Sequence, residues 1–377
     1  MFVGLTYGLP LVVLFGWFFA VDQQTGLGPI KALQTIPVIK AVPWVVLLGI
    51  GISGGLFLIR PYDLLLKVVP PRLSERIEAA SVYGKRQRQA LYNGYTFALP
   101  WIIGFLLLTL YPMGFSLAMS FFKWDIVRRP EFVGLANYAE LLFVDKIYDV
   151  TIKNDIFYAF TQVPAYLVIS LGVALLMNQK VHGIRVYRTL YYLPAVLAGP
   201  AILLLYIFIF DPNLGIVNTI LRAVGVNSPP LWFQHEIWSK PTFILTSLFY
   251  AGTSMVIYLA GLQGVPRHLY EASEIDGANR WSKFVHVTLP MITPTIFFNL
   301  VLGVINAFQV FESVFVITRG GPLNSTYFYA YYVYQMAFQN LKMGYASAMA
   351  WLLFVIIMSL TLVQFKVATK WVYYEVQ

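Results

Sequence analysis

Few residues of this chain could do chemistry, and the charged ones among them gather in one stretch. The sequence EASEIDGANRWSKFVHVTLP, residues 271–290, places Glu271, Glu274 and Asp276 close together, followed by Arg280, Lys283 and His286. Clustered acids suit an enzyme site or a docking face for a basic surface. The four histidines, His182, His235, His268 and His286, show no metal-ligand spacing, and the absence of cysteine removes disulfides, thiolate metal sites and iron–sulfur clusters. A second group is uncharged and lies inside apolar runs: Asn299, Asn306 and Gln309; Tyr250, Thr253 and Ser254; Gln162 and Tyr166. Amides and hydroxyls there either hydrogen-bond a solute or tie helices to one another. With aromatic faces for CH groups, such a set suits a sugar. Asn306 and Gln309 are the preferred pair, because they fall near the middle of the apolar run that follows the acidic stretch.

The elements that must carry these residues are membrane helices. Of 377 residues, 59% are hydrophobic and 11% charged, against about a quarter charged in soluble proteins. Apolar runs of about 20 residues are needed to cross a ~30 Å hydrocarbon core as helices. They recur at 1–21, 41–59, 97–122, 156–177, 190–210, 241–262, 291–311 and 345–365, all free of Asp, Glu, Lys and Arg. The fold class is therefore an all-α membrane protein with about eight transmembrane helices. The first run has no basic residue before Lys31 and no small-residue cleavage site, so it reads as a retained helix rather than a signal peptide.

The net charge of +9 is a topology signal. Segments 60–93, 178–189, 263–290 and the tail from 366 fall on one side and hold 15 Lys and Arg against 7 acids; the other side holds 11 against 10. The basic side is expected to be cytoplasmic, with both termini there, and its excess charge to meet anionic membrane lipid. No nucleic-acid role is expected. The third loop, 123–155, holds five basic and six acidic residues and reads as a small folded external segment.

Two further patterns carry no function. GIGISG at 49–54 matches a dinucleotide fingerprint, but it lies in an apolar run without the strand–turn–helix setting that fingerprint needs. No phosphate-binding G-x-x-x-x-G-K-[ST] loop occurs anywhere. Ionisable residues of the kind that mark ion relays are missing from the eight runs, which counts against an ion-coupled carrier. The aromatic run TYFYAYYVY, 326–334, reads as a membrane-interface belt.

The acidic stretch itself predicts two short helices. Pro266 suits a first helical turn. Val265, Leu269 and Ala272 form one apolar stripe, Gly277 supplies the left-handed turn, and Trp281, Phe284, Val285 and Thr288 form a second stripe. Pro290 and Pro294 mark re-entry into the membrane. Such a knuckle either lies on lipid as an interfacial helix or forms a docking surface. Its acids favour the second, because an anionic leaflet repels them and a basic cleft does not.

In register, Glu271, Ala272, Gly277, Leu289 and Pro290 resemble the EAA loop of ABC-importer permeases, E-A-A-x3-G-x9-I-x-L-P, with Ser273 and Val287 as mild departures. FVGLANYAELL (132–142), YRTLYYLPAV (187–196), GIVNTIL (215–221) and ITRGGPLNST (317–326) are similar to the maltose-type carbohydrate subfamily. The resemblance covers residues 95 to 370. It implies a six-helix type I importer permease core at 94–377, with a cytoplasmic coupling helix in the EAA loop at 266–290. Residues 1–93, two further helices and a basic linker, carry no matching motif.

The resemblance implies a transport subunit in the inner membrane of a prokaryote, not an enzyme, and one without cofactor or metal. Its implied partners are an ABC ATPase dimer, a second homologous permease and an extracytoplasmic solute-binding protein. Glu271, Ala272, Asp276, Gly277, Leu289 and Pro290 would couple to the ATPase, with Glu271 in contact and Gly277 at the turn. Sugar is the leading solute; glycerol phosphate and anionic oligosaccharides are the alternatives. A polytopic membrane transferase is the rival outside transport, with the knuckle acids as its only candidate site.

Overall fold

The computed structural model describes residues 85–179, 181–197 and 199–373. The runs at 1–21 and 41–59 and most of the basic linker lie outside the described residues. The chain divides into two units, Met1–Met119 and Ser120–Gln377.

In the first unit, α1 (Lys85–Phe105), a wide π-helical turn (Leu106–Leu110) and α2 (Tyr111–Met119) follow one another. They supply one span, Asn93–Met119, whose apolar side chains are almost all exposed. A helix so apolar and so uncovered needs lipid or a partner around it.

The second unit opens with a hairpin. β1 (Phe122–Lys123) pairs antiparallel with β2 (Glu131–Phe132), Phe122 facing Phe132. The Asn137 amide, on α3 (Ala136–Phe143), donates to Ser120 O and Phe122 O at 2.8 and 3.0 Å and closes the segment. This segment is folded, with a scrap of sheet that the all-α reading did not foresee.

α4 (Lys146–Met177) is 32 residues long, or about 48 Å at 1.5 Å per residue, and so outruns the apolar run at 156–177. Asp145 sets its start, accepting from the N–H groups of Ile147 and Tyr148 at 2.9 and 3.3 Å. Next come α5 (Ile184–Val196) and α6 (Gly199–Ile209), which together match the run at 190–210. The connection holds α7 (Ile216–Ala223) and a 3-10 turn (Trp232–Gln234). α8 (Glu236–Leu248) and α9 (Gly252–Gly264) form a second pair, bent by 46°.

The knuckle consists of α10 (Arg267–Ile275), α11 (Arg280–Lys283), a π-helical turn (Phe284–Thr288) and α12 (Leu289–Met291). α13 (Thr293–Ala307) and α14 (Glu312–Ile317) supply one further span. α15 (Tyr329–Tyr334) and a π-helical turn (Gln335–Gln339) lead to α16 (Met343–Ala368), the last span. Among the described residues, four helices are long and apolar enough to cross a membrane, or up to six if each bent pair is one span. These six sites coincide with the six predicted runs from residue 97 onward.

Two cores hold the second unit. One, at the end away from the knuckle, gathers Tyr158, Tyr206, Phe210, Phe243, Phe308, Phe328 and their neighbours. The other joins Ala174, Met255, Tyr258, Leu262, Val265 and Ile292, with Tyr270 and Val287 of the knuckle packed on it. The aromatic run at 326–334 is not a lipid-facing belt. Phe328, Tyr329, Tyr331 and Tyr332 are buried in the first core, where their rings stack edge-on with Tyr148, Tyr158 and Phe243.

Candidate functional site

The knuckle is built as two helices about a glycine hinge. Gly277 has φ of +76°, a conformation costing an L-residue about 1–2 kcal/mol, and its N–H bonds back to Glu274 O. Asn279 then caps α11, accepting from Ser282 N at 2.8 Å. Lys283 Nζ reaches Glu274 Oε1 at 2.7 Å and links the two arms.

Its inner side is anchored. Tyr270 and Thr288 share a hydroxyl–hydroxyl hydrogen bond of 3.0 Å above the second core. Its outer side is open: Glu271, Ala272, Glu274, Asp276 and Gly277 are exposed, beside Ile275 and Trp281 at 87% and 71% exposure. The two predicted stripes are corrected here. Val265 and Thr288 are buried, whereas Ala272 and Trp281 turn outward, because Val265 lies before the first arm begins and the π turn shifts Thr288 out of phase with Trp281. Leu289 and Pro290 lie half-buried where the π turn hands over to α12. A surface mixing acids with an exposed indole and isoleucine suits a protein partner better than water.

The second candidate is a cluster where three helix pairs break. α8 and α9 part at Phe249–Ala251, and the Tyr250 carbonyl freed there accepts from Tyr166 OH of α4 at 3.2 Å. The Tyr250 and Phe249 rings meet Tyr206 of α6 at 6.4 and 6.0 Å. Gly252 allows α9 to touch α5: a Cβ there would lie 2.6 Å from Tyr191 O. α13 ends at Ala307, and α14 begins with Glu312. The Glu312 carboxylate covers the first residue of α6, so that a Cβ on Gly199 would lie 2.8 Å from both its oxygens. A carboxylate at a helix N-terminus is favourably placed.

The predicted pathway residues are only partly brought together. Tyr250 and Tyr166 meet at the break, Thr253 lies in the first turn of α9 just past it, and Gln162 lies one turn along α4, buried. Asn299 faces the interior instead: it is 1% exposed, donates to Thr295 O at 3.0 Å, and leaves its Oδ1 unpartnered. Asn306 is exposed. Gln309 does not share its face, because the helix stops two residues earlier.

Sequence reading also missed charge within span helices, buried at Asp155 and exposed at Glu312. Both belong to helices that pass as spans, each one residue outside an apolar run, so counting apolar letters alone excluded them. Asp155 is 1% exposed; one oxygen accepts from Tyr329 N at 3.3 Å and the other has no partner. Beside it, Asn154 donates to Asn324 O and Tyr327 O at 2.9 and 3.1 Å and accepts from Lys240 Nζ at 3.0 Å. Asp145 completes this end, accepting from Tyr332 OH and Tyr345 OH at 2.5 and 2.6 Å. Burial alone would raise its carboxyl pKa, but the hydrogen bonds from Tyr332, Tyr345, Ile147 and Tyr148 outweigh it and hold the value below normal.

Comparisons with known proteins agree with this architecture. Residues 166–372 match the family described as "Binding-protein-dependent transport system inner membrane component". The chain is 42% identical over 285 residues to the probable ABC transporter permease protein YesP of Bacillus subtilis, covering 75% of this chain and 92% of that one. It is 30% identical to the lactose transport system permease protein LacF of Rhizobium radiobacter, over 74% and 94%. Its fold is that of a chain in the crystal structure of a bacterial alginate ABC transporter in complex with an alginate pentasaccharide-bound periplasmic protein. The TM-score is 0.67 at 23% identity, over 77% of this chain and 99% of that one. The chain belongs to the inner-membrane components of binding-protein-dependent transport systems, the permease subunits of ABC importers.

Proposed function

We propose that this permease imports a neutral saccharide, forms half of the translocation pathway, and couples to a cytoplasmic ABC ATPase dimer through residues 266–290. The observation that carries the coupling role is the knuckle's division of labour. Tyr270 and Val287 pack its inner side on the second core, with the Tyr270–Thr288 hydroxyl bond bracing its two arms, while Glu271, Asp276, Ile275 and Trp281 stand free on the outer side. Glu271 and Asp276 meet basic groups of the ATPase, Ile275 and Trp281 fill an apolar groove in it, and Gly277 is the hinge. Motion of the ATPase on binding ATP then passes along α13 to the breaks at Phe249–Ala251 and Phe308–Phe311. A second homologous permease supplies the other half of the pathway. A solute-binding protein delivers solute at the end opposite the knuckle.

Tyr250, Tyr206, Tyr166 and Thr253 line the solute's route. Rings and hydroxyls suit a sugar, and the relative named for lactose transport supports that class. Glu312 beside the cluster disfavours an anion, which argues against glycerol phosphate or an acidic saccharide. Charged groups such as Asp155 and Glu312 in span helices remove the lack of intramembrane charge as a ground against an ion-coupled carrier; family membership carries that exclusion.

The coupling test is Glu271→Ala in the full transporter reconstituted in liposomes. The expected result is at least tenfold weaker ATPase association, about 1.4 kcal/mol, with uptake lost and thermal stability unchanged. Unaltered association and uptake would end the proposal, as would solute transport by the purified chain without an ATPase.

A further inference from the structure

Residues 211–235 join α6 to α8 at the end of the spans opposite the knuckle. Their helix, α7, is inverted relative to one that meets water. Its polar residue Asn218 is fully buried, donating to Pro212 O and Pro230 O at 3.0 and 3.2 Å and accepting from Trp232 Nε1 at 2.6 Å. Val217 packs on the first core. Arg222 folds back along the loop and donates to Pro212 O and Asn213 O at 2.9 and 3.2 Å. Ile216, Ile220 and Val224 face outward, 63%, 57% and 79% exposed, with Thr219, Arg222 and Ala223 exposed beside them. Four residues apart, Ile216, Ile220 and Val224 form one stripe along the helix. The loop is fixed from within, and the fixing aims apolar groups away from the protein.

Three observations identify the cover. First, the stripe continues the lipid-facing surface of the spans: Leu204, Leu205 and Phe208 point outward from α6, which ends at Ile209, and Ile237 points outward at the start of α8. Second, Trp232 and Trp238 flank the loop with ring centroids 6.0 Å apart, and tryptophan is enriched at the membrane–water boundary. Third, the two charged residues of the connection, Asp211 and Arg222, balance one another and are both turned to the loop's own backbone, so the loop brings no net charge to the membrane surface.

We infer that α7 is an interfacial helix whose Ile216–Ile220–Val224 stripe sits in the headgroup–acyl boundary of the leaflet away from the knuckle. It holds the connection between α6 and α8 level with the membrane surface. The lipid seat fixes the depth of both broken pairs from their far end.

The chain has no cysteine, so Ile216→Cys, Ile220→Cys, Val224→Cys and, as a control on the exposed part of the same loop, Asn227→Cys can each carry one nitroxide. The full chain is reconstituted in phosphatidylethanolamine–phosphatidylglycerol liposomes, and collisions with oxygen and with a water-soluble nickel chelate are measured. The expected ratio of oxygen to nickel collisions at the three stripe positions exceeds that at residue 227 by about fivefold, as for a helix face buried 5–10 Å into the interface. A ratio equal to that at residue 227 would place the stripe in water and overturn the inference. Exclusion of both reagents from the stripe would place a protein there and overturn it equally.

Discussion

The two ends of the second unit are held by different means. At the knuckle end the helices are short, and a small apolar cluster under Tyr270 and Val287 fastens them to the spans. At the other end polar side chains are drawn between the helices. Asp145 joins the start of α4 to Tyr332 and Tyr345, Asn154 ties α4 to residues 324 and 327, and Ser239 meets Ser325 at 2.9 Å. Those bonds close loops of 86 to 200 residues. A buried, cross-braced end resists displacement, whereas a shallowly anchored end follows whatever binds it. The molecule is a stiff frame with a compliant handle.

Substitutions can break that contrast or sharpen it. Gly344→Ala should do the most damage, since a Cβ there collides with the Phe122 carbonyl; a loss of about 3 kcal/mol, read as a fall in Tm of the detergent-solubilised chain, is expected. Asp145→Asn should cost about 2 kcal/mol through two weakened charge-assisted hydrogen bonds, and it tests pH as well. A carboxyl whose folded pKa is depressed gives stability that is present above the unfolded value of about 3.9 and lost as pH falls through the folded one. Acid titration of Tm should therefore show this loss in the native chain and not in the variant. At the knuckle, Gly277→Ala should cost only about 1 kcal/mol of stability yet reduce uptake. Lys283→Met should move Tm least, by under about 1 kcal/mol, because Glu274 is largely exposed. Knuckle variants as destabilising as Gly344→Ala would abolish the distinction.

Much of this was legible in the sequence. Apolar run length placed the four span helices and the two bent pairs that lie within the described residues. Gly277 and the acids around it declared the knuckle, since a turn and its charge are written locally. What was not legible depends on partners distant in the chain. Tyr329 and Tyr332 look like belt residues until α4 and α16 are packed on them. Asp155 and Glu312 look like loop residues because each lies just past an apolar run; the continuing helices place both in spans and bury Asp155. Gln309 shares a helical face with Asn306 on paper, but the chain breaks at Phe308. Periodicity reports where a helix can run and is silent about where tertiary packing stops it.

The π turn at Phe284–Thr288 gives the handle a particular mechanical character. Leu289 N–H bonds to Phe284 O, five residues back, and Thr288 Oγ1 reaches the Lys283 carbonyl at 3.4 Å. Such a turn stores one residue of slack between α11 and the re-entry into the spans. In helical geometry one residue is about 100° of rotation and 1.5 Å of rise. The joint between knuckle and membrane is thus geared: taking up or paying out that residue converts a small axial pull into a large swivel of the acidic face.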